Sequence, residues 1–181
     1  VEILISQAHL ALAQNRAEIL RLTERDTAAS WSDFVEPLEN ANERLWRACG
    51  AVAHLHAVDD NAAIRDAYNA NLPKVTRYRT ELEQNLALYE KFKALRAAGE
   101  FDSLSRARRK IVENALRDFR LGGAELEPEN KLRFAQIQEE LAALEAKFSE
   151  NVLDATNAFS LFVADRAELT GITQDVLQAA A

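Results

Sequence analysis

The sequence contains no methionine, one cysteine, three prolines and five glycines in 181 residues. A lone cysteine, Cys49, cannot close an internal disulfide, so the fold must stand without one and suits a reducing compartment. So little glycine and proline leaves too few turn residues for an all-β sandwich or barrel, which needs them about every 8–12 positions. No apolar run approaches the roughly 18 residues of a membrane helix. The opening stretch from Val1 to Arg16 also lacks the basic region that precedes the apolar core of a signal peptide. These absences point to a cytoplasmic protein with no membrane partner. Positive charge is in short supply too: 22 Lys and Arg face 29 Asp and Glu, a formal charge of −7. That balance disfavours nucleic acid as a partner.

What is present describes a folded chain. Apolar residues make up 48% and charged residues 28%, close to globular averages. The length fits a single helical domain spanning residues 1–181. The missing first Met, and a helical pattern that begins just before the terminal Gln178-Ala179-Ala180-Ala181, suggest a piece of a longer polypeptide.

Helical spacing recurs almost everywhere, and the breakers fall between the periodic stretches. Five segments emerge. The first, Glu2 to Glu24, carries Leu4, Ala8, Leu12, Ile19 and Leu22 on one face with Asn15 as a polar interruption, and ends in the polar stretch Thr23 to Ser30. The second, Ser32 to His56, carries Phe34, Leu38, Ala41, Leu45, Ala48, Val52 and Leu55, an unbroken stripe. Ser30 or Ser32 is placed to cap it. Asp59-Asp60-Asn61 supplies a break and the next cap.

The third segment, Ala62 to Ala98, aligns Ile64, Tyr68, Leu72, Val75, Tyr78, Leu82, Leu86 and Tyr89, with a kink or two abutting helices expected near Pro73. Gly99 should close it as a left-handed cap. Asp102 or Ser103 should open the fourth, which carries Leu104, Ile111, Ala115 and Phe119 and stops at Gly122-Gly123. The fifth starts at Pro128 and sets Phe134, Ile137, Leu141, Leu144, Phe148, Val152, Ala155, Phe159 and Phe162 along a stripe about 42 Å long. Thr170-Gly171 ends that order, and Thr173 is placed to cap a last helix. The predicted fold is all-α: a bundle of about five long, mostly antiparallel helices joined by short connections.

No active site is visible in these residues. A peptidase-type zinc site needs HExxH, two histidines one helical turn apart with a Glu beside the first, and the chain has none. His54 and His56 at i, i+2 point apart on a helix, and His9 is remote in sequence. Glu139, Glu140, Glu145 and Glu150 flank the apolar stripe and read as a solvated face. Cys49 has no local base and reads as a small core residue. Gly122-Gly123 lacks the phosphate-loop pattern. One basic cluster stands out, Arg106, Arg108, Arg109, Lys110, Arg117 and Arg120. Arg106, Arg109 and Lys110 share a helix face that suits an anionic ligand or an acidic partner, unless it is solvated or paired with Asp102, Glu113 and Asp118. No catalytic, metal-binding or cofactor-binding residue is assigned, and substrate-binding residues stay unknown.

Several separated stretches nonetheless resemble one family. Val112-Glu113-Asn114-Ala115-Leu116-Arg117-Asp118-Phe119, then Phe148-Ser149-Glu150-Asn151-Val152-Leu153-Asp154-Ala155-Thr156, then Asp165 and Ala167-Glu168-Leu169-Thr170-Gly171 are similar to the N-terminal region of the thimet oligopeptidase family of zinc metallopeptidases. The likeness reaches back through Arg65 to Tyr68, His54-Leu55 and Trp31 to Leu38.

The resemblance implies a helical, non-catalytic N-terminal part that forms one wall of a channel in which short peptides are cleaved. Zinc, the HExxH histidines and a further Glu would belong to the catalytic region of the same polypeptide, the expected partner of these residues. This part alone is then expected to be inactive. The alternative is a free-standing helical adaptor that binds another protein, through the Arg106 to Arg120 surface or an unfilled groove. An apolar surface left by truncation would promote self-association.

Overall fold

The computed structural model describes residues 2–25 and 27–180, with the side chains of residues 2–4 left out of the description. The places of the Leu4 side chain, of Asp26 in the polar stretch and of the terminal Ala181 therefore lie outside the described residues. Those residues hold eight α-helices and no strand: α1 Glu2–Glu24, α2 Glu36–Val58, α3 Ala62–Glu83, α4 Leu86–Ala97, α5 Gly99–Ser103, α6 Arg106–Leu121, α7 Pro128–Ala158 and α8 Gln174–Ala180. The chain divides into two compact units, Val1–Ala146 and Lys147–Ala181.

In the first unit, α1 packs mainly on α2, α3 touches both, and α4 packs on α6 and α1. One core cluster gathers Leu22, Phe34, Val35, Leu38, Leu88, Phe92, Leu95, Val112 and Phe119 among others. Phe92 sits at its centre, edge-on to Phe34 at 4.9 Å and tilted against Phe119 at 5.5 Å. Burying such a ring contributes about 1.5–3 kcal/mol. A second cluster joins Ala11, Leu12, Leu45 and Tyr78 from α1, α2 and α3, with Ile19 and Leu82 touching both clusters. Asn15, the polar interruption on α1, is itself buried here. Its amide donates to Asn42 at 3.3 Å and to the Tyr78 hydroxyl at 3.1 Å, and Tyr78 donates to Asn42 at 3.2 Å. Three helices are thus pinned by one polar triad, and its geometry leaves Asn15 Oδ1 without a partner.

Local chemistry sets the helix ends. Ser30 accepts from the Asp33 N–H and opens a π-helical turn, Trp31–Val35, that runs straight into α2. Asn61 caps α3, Asn85 caps α4 and Ser105 caps α6, each by accepting a backbone N–H three residues on. At the end of α6, Ala124 N–H donates to the Phe119 carbonyl and Gly123 N–H to Arg120, with Gly123 at φ +91°. That is a Schellman closure, so the two glycines stop the helix as expected. Gly122 is required for a further reason, since a Cβ there would collide with Glu83 at the end of α3.

The third and fourth segments differ from expectation. α3 runs on as one helix through the exposed Pro73, which overturns the alternative of two abutting helices there, and the chain breaks further on, at Gln84-Asn85. Because Asn85 restarts the helix, the buried face of α4 shifts to Leu88, Tyr89, Phe92 and Leu95, leaving Leu86 49% exposed. Gly99 is not a left-handed cap: it begins the short α5, after which Ser105 and not Asp102 or Ser103 caps α6. On α6, Val112 is buried and Ile111 is exposed. On α7 the stripe is not buried, as Ile137, Leu141 and Leu144 of the first unit lie exposed.

In the second unit α7 ends at Ala158, before Phe159 and Phe162, and both of these are exposed, as are Phe148 and Val152. A 3₁₀ turn follows over Arg166–Leu169, capped by Asp165. Gly171 turns at φ +97°, and the Thr173 carbonyl accepts the Leu177 N–H at the start of α8, where a cap was expected. None of the described helices is long and apolar enough to cross a membrane.

Candidate functional site

The side chains singled out from sequence are dispersed. His54 is exposed on α2, while His56 two residues on stacks flat against Tyr68 at 4.2 Å and lies 3.6 Å from Asp60. His9 faces a different set, Asn71 at 2.6 Å and Lys74 at 3.2 Å. Among the described residues no three His, Cys, Asp or Glu side chains converge as metal ligands. A zinc ion needs about four donors in a tetrahedron, and a histidine facing a lysine ammonium or stacked on a tyrosine does not provide one. The donor chemistry of these residues does not fit a zinc site.

Cys49 is half-buried, and burial pushes its thiol pKa up, away from the thiolate a nucleophile requires. Of the acidic residues on α7, Glu139 pairs with Arg77 at 3.0 Å and Glu140 lies 3.6 Å from Arg133. Glu150 corrects the solvated-face expectation, because it is only 6% exposed and has an interaction partner. A carboxylate is buried this far only when paired.

The basic cluster is divided by local partners. Arg108 lies over the Trp31 ring at 4.8 Å, and Arg117 bonds its neighbour Asp118 at 2.8 Å. Arg106 and Lys110 remain exposed on α6, with Arg109 half-buried between them. Two of the six cations are thus committed to neighbours, and neither belongs to the face of Arg106, Arg109 and Lys110.

A cleft of about 590 Å³ opens in the first unit, lined by α2, α3, α6 and the middle of α7, with Phe92 of α4 at its base. Its walls include Leu38, Trp46, Leu72, Val75 and Phe119, with Leu141 on the α7 side. Polar groups reach in from every wall: Glu39 and Asn42 from α2, Arg79 and Glu83 from α3, Asp118 from α6, and Gln138 and Glu145 from α7. Arg79 and Glu83 pair at 2.8 Å, an i, i+4 bridge on one face.

Glu39 is an exposed residue beside these walls, yet loss of solvation raises its carboxyl above the usual range. Tyr68, which does not line this cleft, is raised as well, first by burial and then by the charge of Glu145, which does. Such a cleft offers apolar surface and hydrogen-bonding groups of both kinds, suited to an extended polar chain with apolar side groups, and no nucleophile. Of its polar members the sequence marked Glu145, read as part of a solvated face, and Asp118, read as a partner of the basic cluster. That they meet in one cleft was not legible, because they come from different helices without a shared local motif.

Comparison with known proteins supplies what local geometry does not. Residues 9–131 match the family described as the neurolysin and thimet oligopeptidase N-terminal domain, which takes in most of α1 through the first turn of α7. The chain is 40% identical over 151 residues to oligopeptidase A of Haemophilus influenzae, covering 83% of this chain and 22% of that protein. It is 35% identical over 170 residues to oligopeptidase A of Escherichia coli, covering 94% and 25%. A probable cytosolic oligopeptidase A of Arabidopsis thaliana is 37% identical over 166 residues, covering 92% and 24%. The chain therefore spans about a quarter of the length of the curated relatives it matches.

Proposed function

This chain belongs to the neurolysin and thimet oligopeptidase N-terminal domain family, and from that premise we propose that it is the non-catalytic helical part of a cytoplasmic zinc endopeptidase that hydrolyses short peptides. It contributes one wall of the substrate channel. Its partner is the catalytic region of the same polypeptide, and neither nucleic acid nor a membrane enters its work. The observation that carries this reading is the family match over residues 9–131, reinforced by relatives named oligopeptidase A that align over most of this chain.

Physical features agree with that role. The sequence has no HExxH, and His9 and His56 hold unrelated neighbours while His54 is exposed. Ile137, Leu141 and Leu144 leave an apolar face of α7 in the first unit open to water, the kind of surface that a contiguous partner region covers. A helical wall of fixed shape selects by size: an extended peptide enters a narrow channel where a folded protein is excluded. Zinc and its ligands would sit in the catalytic region, so no chemical step is assigned to a residue here.

The test is hydrolysis of a quenched fluorescent peptide. The 181-residue chain alone is expected to give no turnover above background. Robust turnover abolished by a chelator would refute the assignment. Reading the source gene beyond the codon for Ala181 separates the alternative: an in-frame HExxH supports the peptidase, whereas an immediate stop codon supports a free-standing adaptor.

A further inference from the structure

A second cavity lies where α1, α2 and α3 meet, about 260 Å³ in volume and separate in chemistry from the large cleft. Leu12, Val52, Leu72 and Val75 form aliphatic walls, and Trp46 and Tyr68 close two sides with aromatic surface. Gly50 also borders the space, and a Cβ built there would meet nothing within 4 Å. Glycine is a poor helix former in the interior of α2, yet its missing side chain leaves this wall open.

The rim is polar and rich in donors. Asn71 Nδ2 donates to the Ala67 carbonyl at 2.7 Å, which fixes Asn71 Oδ1 as the acceptor of the group. Two donors share that oxygen and fill both of its lone pairs, His9 Nε2 at 2.6 Å and Lys74 Nζ at 3.2 Å. At 2.6 Å from an acceptor oxygen Nε2 carries its proton, so its 3.2 Å approach to the Lys74 ammonium sets donor against donor. The hydrogen-bond partners of Lys74 among the described residues are these two neutral-or-cationic groups, and none is a carboxylate. An incoming anion would supply the acceptors this rim lacks.

We propose that this cavity is a binding site for a medium-chain aliphatic carboxylate. The alkyl chain occupies the apolar interior, where no further polar partner is required, and the carboxylate takes the free donors of Lys74 with His9 beside it. An apolar body and one anionic end match the two halves of the site, and the large cleft, with acidic groups on every wall, offers no such pairing.

Cys49 lines the same cavity and is the only thiol of the chain, so its alkylation by N-ethylmaleimide, followed by mass spectrometry on the 181-residue protein, reports occupancy. Octanoate is expected to slow labelling saturably. Acetate, with the head and no tail, and octylamine, with the tail and the opposite charge, are expected not to. 1-Octanol should protect only at concentrations about tenfold higher, the size of one charge-assisted hydrogen bond.

Lys74→Ala, a change at an exposed position, should raise the half-protecting octanoate concentration by about tenfold or more while leaving protection by 1-octanol unchanged. The unchanged octanol response shows that the cavity of the variant is intact. Equal protection by octanol and octanoate, an unaltered octanoate response in Lys74→Ala, or no protection by octanoate would each overturn the proposal.

Discussion

Glu39 lies well inside a helix that runs on from Trp31, out of reach of the positive end of its dipole, and the cleft around its carboxyl strips away water. The carboxyl therefore binds its proton more tightly folded than unfolded. The charged groups facing the same cleft are Arg79 and Glu83 of α3, Asp118 of α6 and Glu145 of α7, so its surroundings hold more negative than positive charge.

A raised carboxyl costs stability above its folded value, and that cost disappears as pH falls below the unfolded one. Glu39→Gln is therefore expected to melt higher than the parent near pH 7, with the two curves converging below about pH 4. Thermal melts across that range check it, and a variant less stable at pH 7 would contradict the assignment. Glu18 runs the other way: the Arg21 hydrogen bond lowers it, so its contribution is present above the ordinary carboxylate range and fades as acid titrates it. Asn15 could be seen in the sequence as a polar residue on an apolar face. Its partners Asn42 and Tyr78, 27 and 63 residues away, could not.

Among the elements, α3 departs most from what its sequence suggests. Pro73 has no N–H to give the carbonyl one turn back, and its ring crowds that turn, so a kink or break is the local expectation. The break does not occur there: the helix spans Ala62–Glu83, with Ile64, Tyr78 and Thr80 buried on both sides of the proline and holding the two halves together. Tertiary contact offsets the local penalty. Pro73→Ala should raise stability by about 1–3 kcal/mol, read from urea unfolding with an unchanged slope. Loss of stability would instead show that the α3 contacts depend on a proline-shaped helix. The break that does occur, at Gln84-Asn85, has a plain cap residue but lies inside a continuous apolar pattern. Asn85 was therefore silent in the sequence, and the register of α4 was lost with it.

For the molecule as a whole, the open question is what covers α7. Leu132 and Leu144 in the first unit are 65% and 68% exposed, and Ile137 and Leu141 stand between them in the sequence, also exposed. Exposed apolar surface of this kind drives association in water. The 181-residue chain should self-associate with rising concentration, and Leu141→Glu with Leu144→Glu should reduce that association without lowering the melting temperature. Sedimentation velocity and a thermal melt check both halves of the expectation. A chain that stays monomeric at all concentrations would show that this face is not adhesive. The periodic pattern along α7 announced an apolar stripe, but periodicity only says that one face of a helix is apolar, not that anything lies against it.

The sequence by itself determined the all-α class, the ends of α1, the places of the caps, at Ser30 or Ser32 and within Asp59-Asp60-Asn61, the glycine stop after α6 and the family, because each depends on residue types within a turn or two or on motifs in order along the chain. The tertiary structure alone decided which apolar faces are buried, how α3 passes its proline, and where the cleft and the Lys74 cavity form. Those are sums over side chains from three or four helices, and a balance between distant contacts and local preference cannot be read one turn at a time.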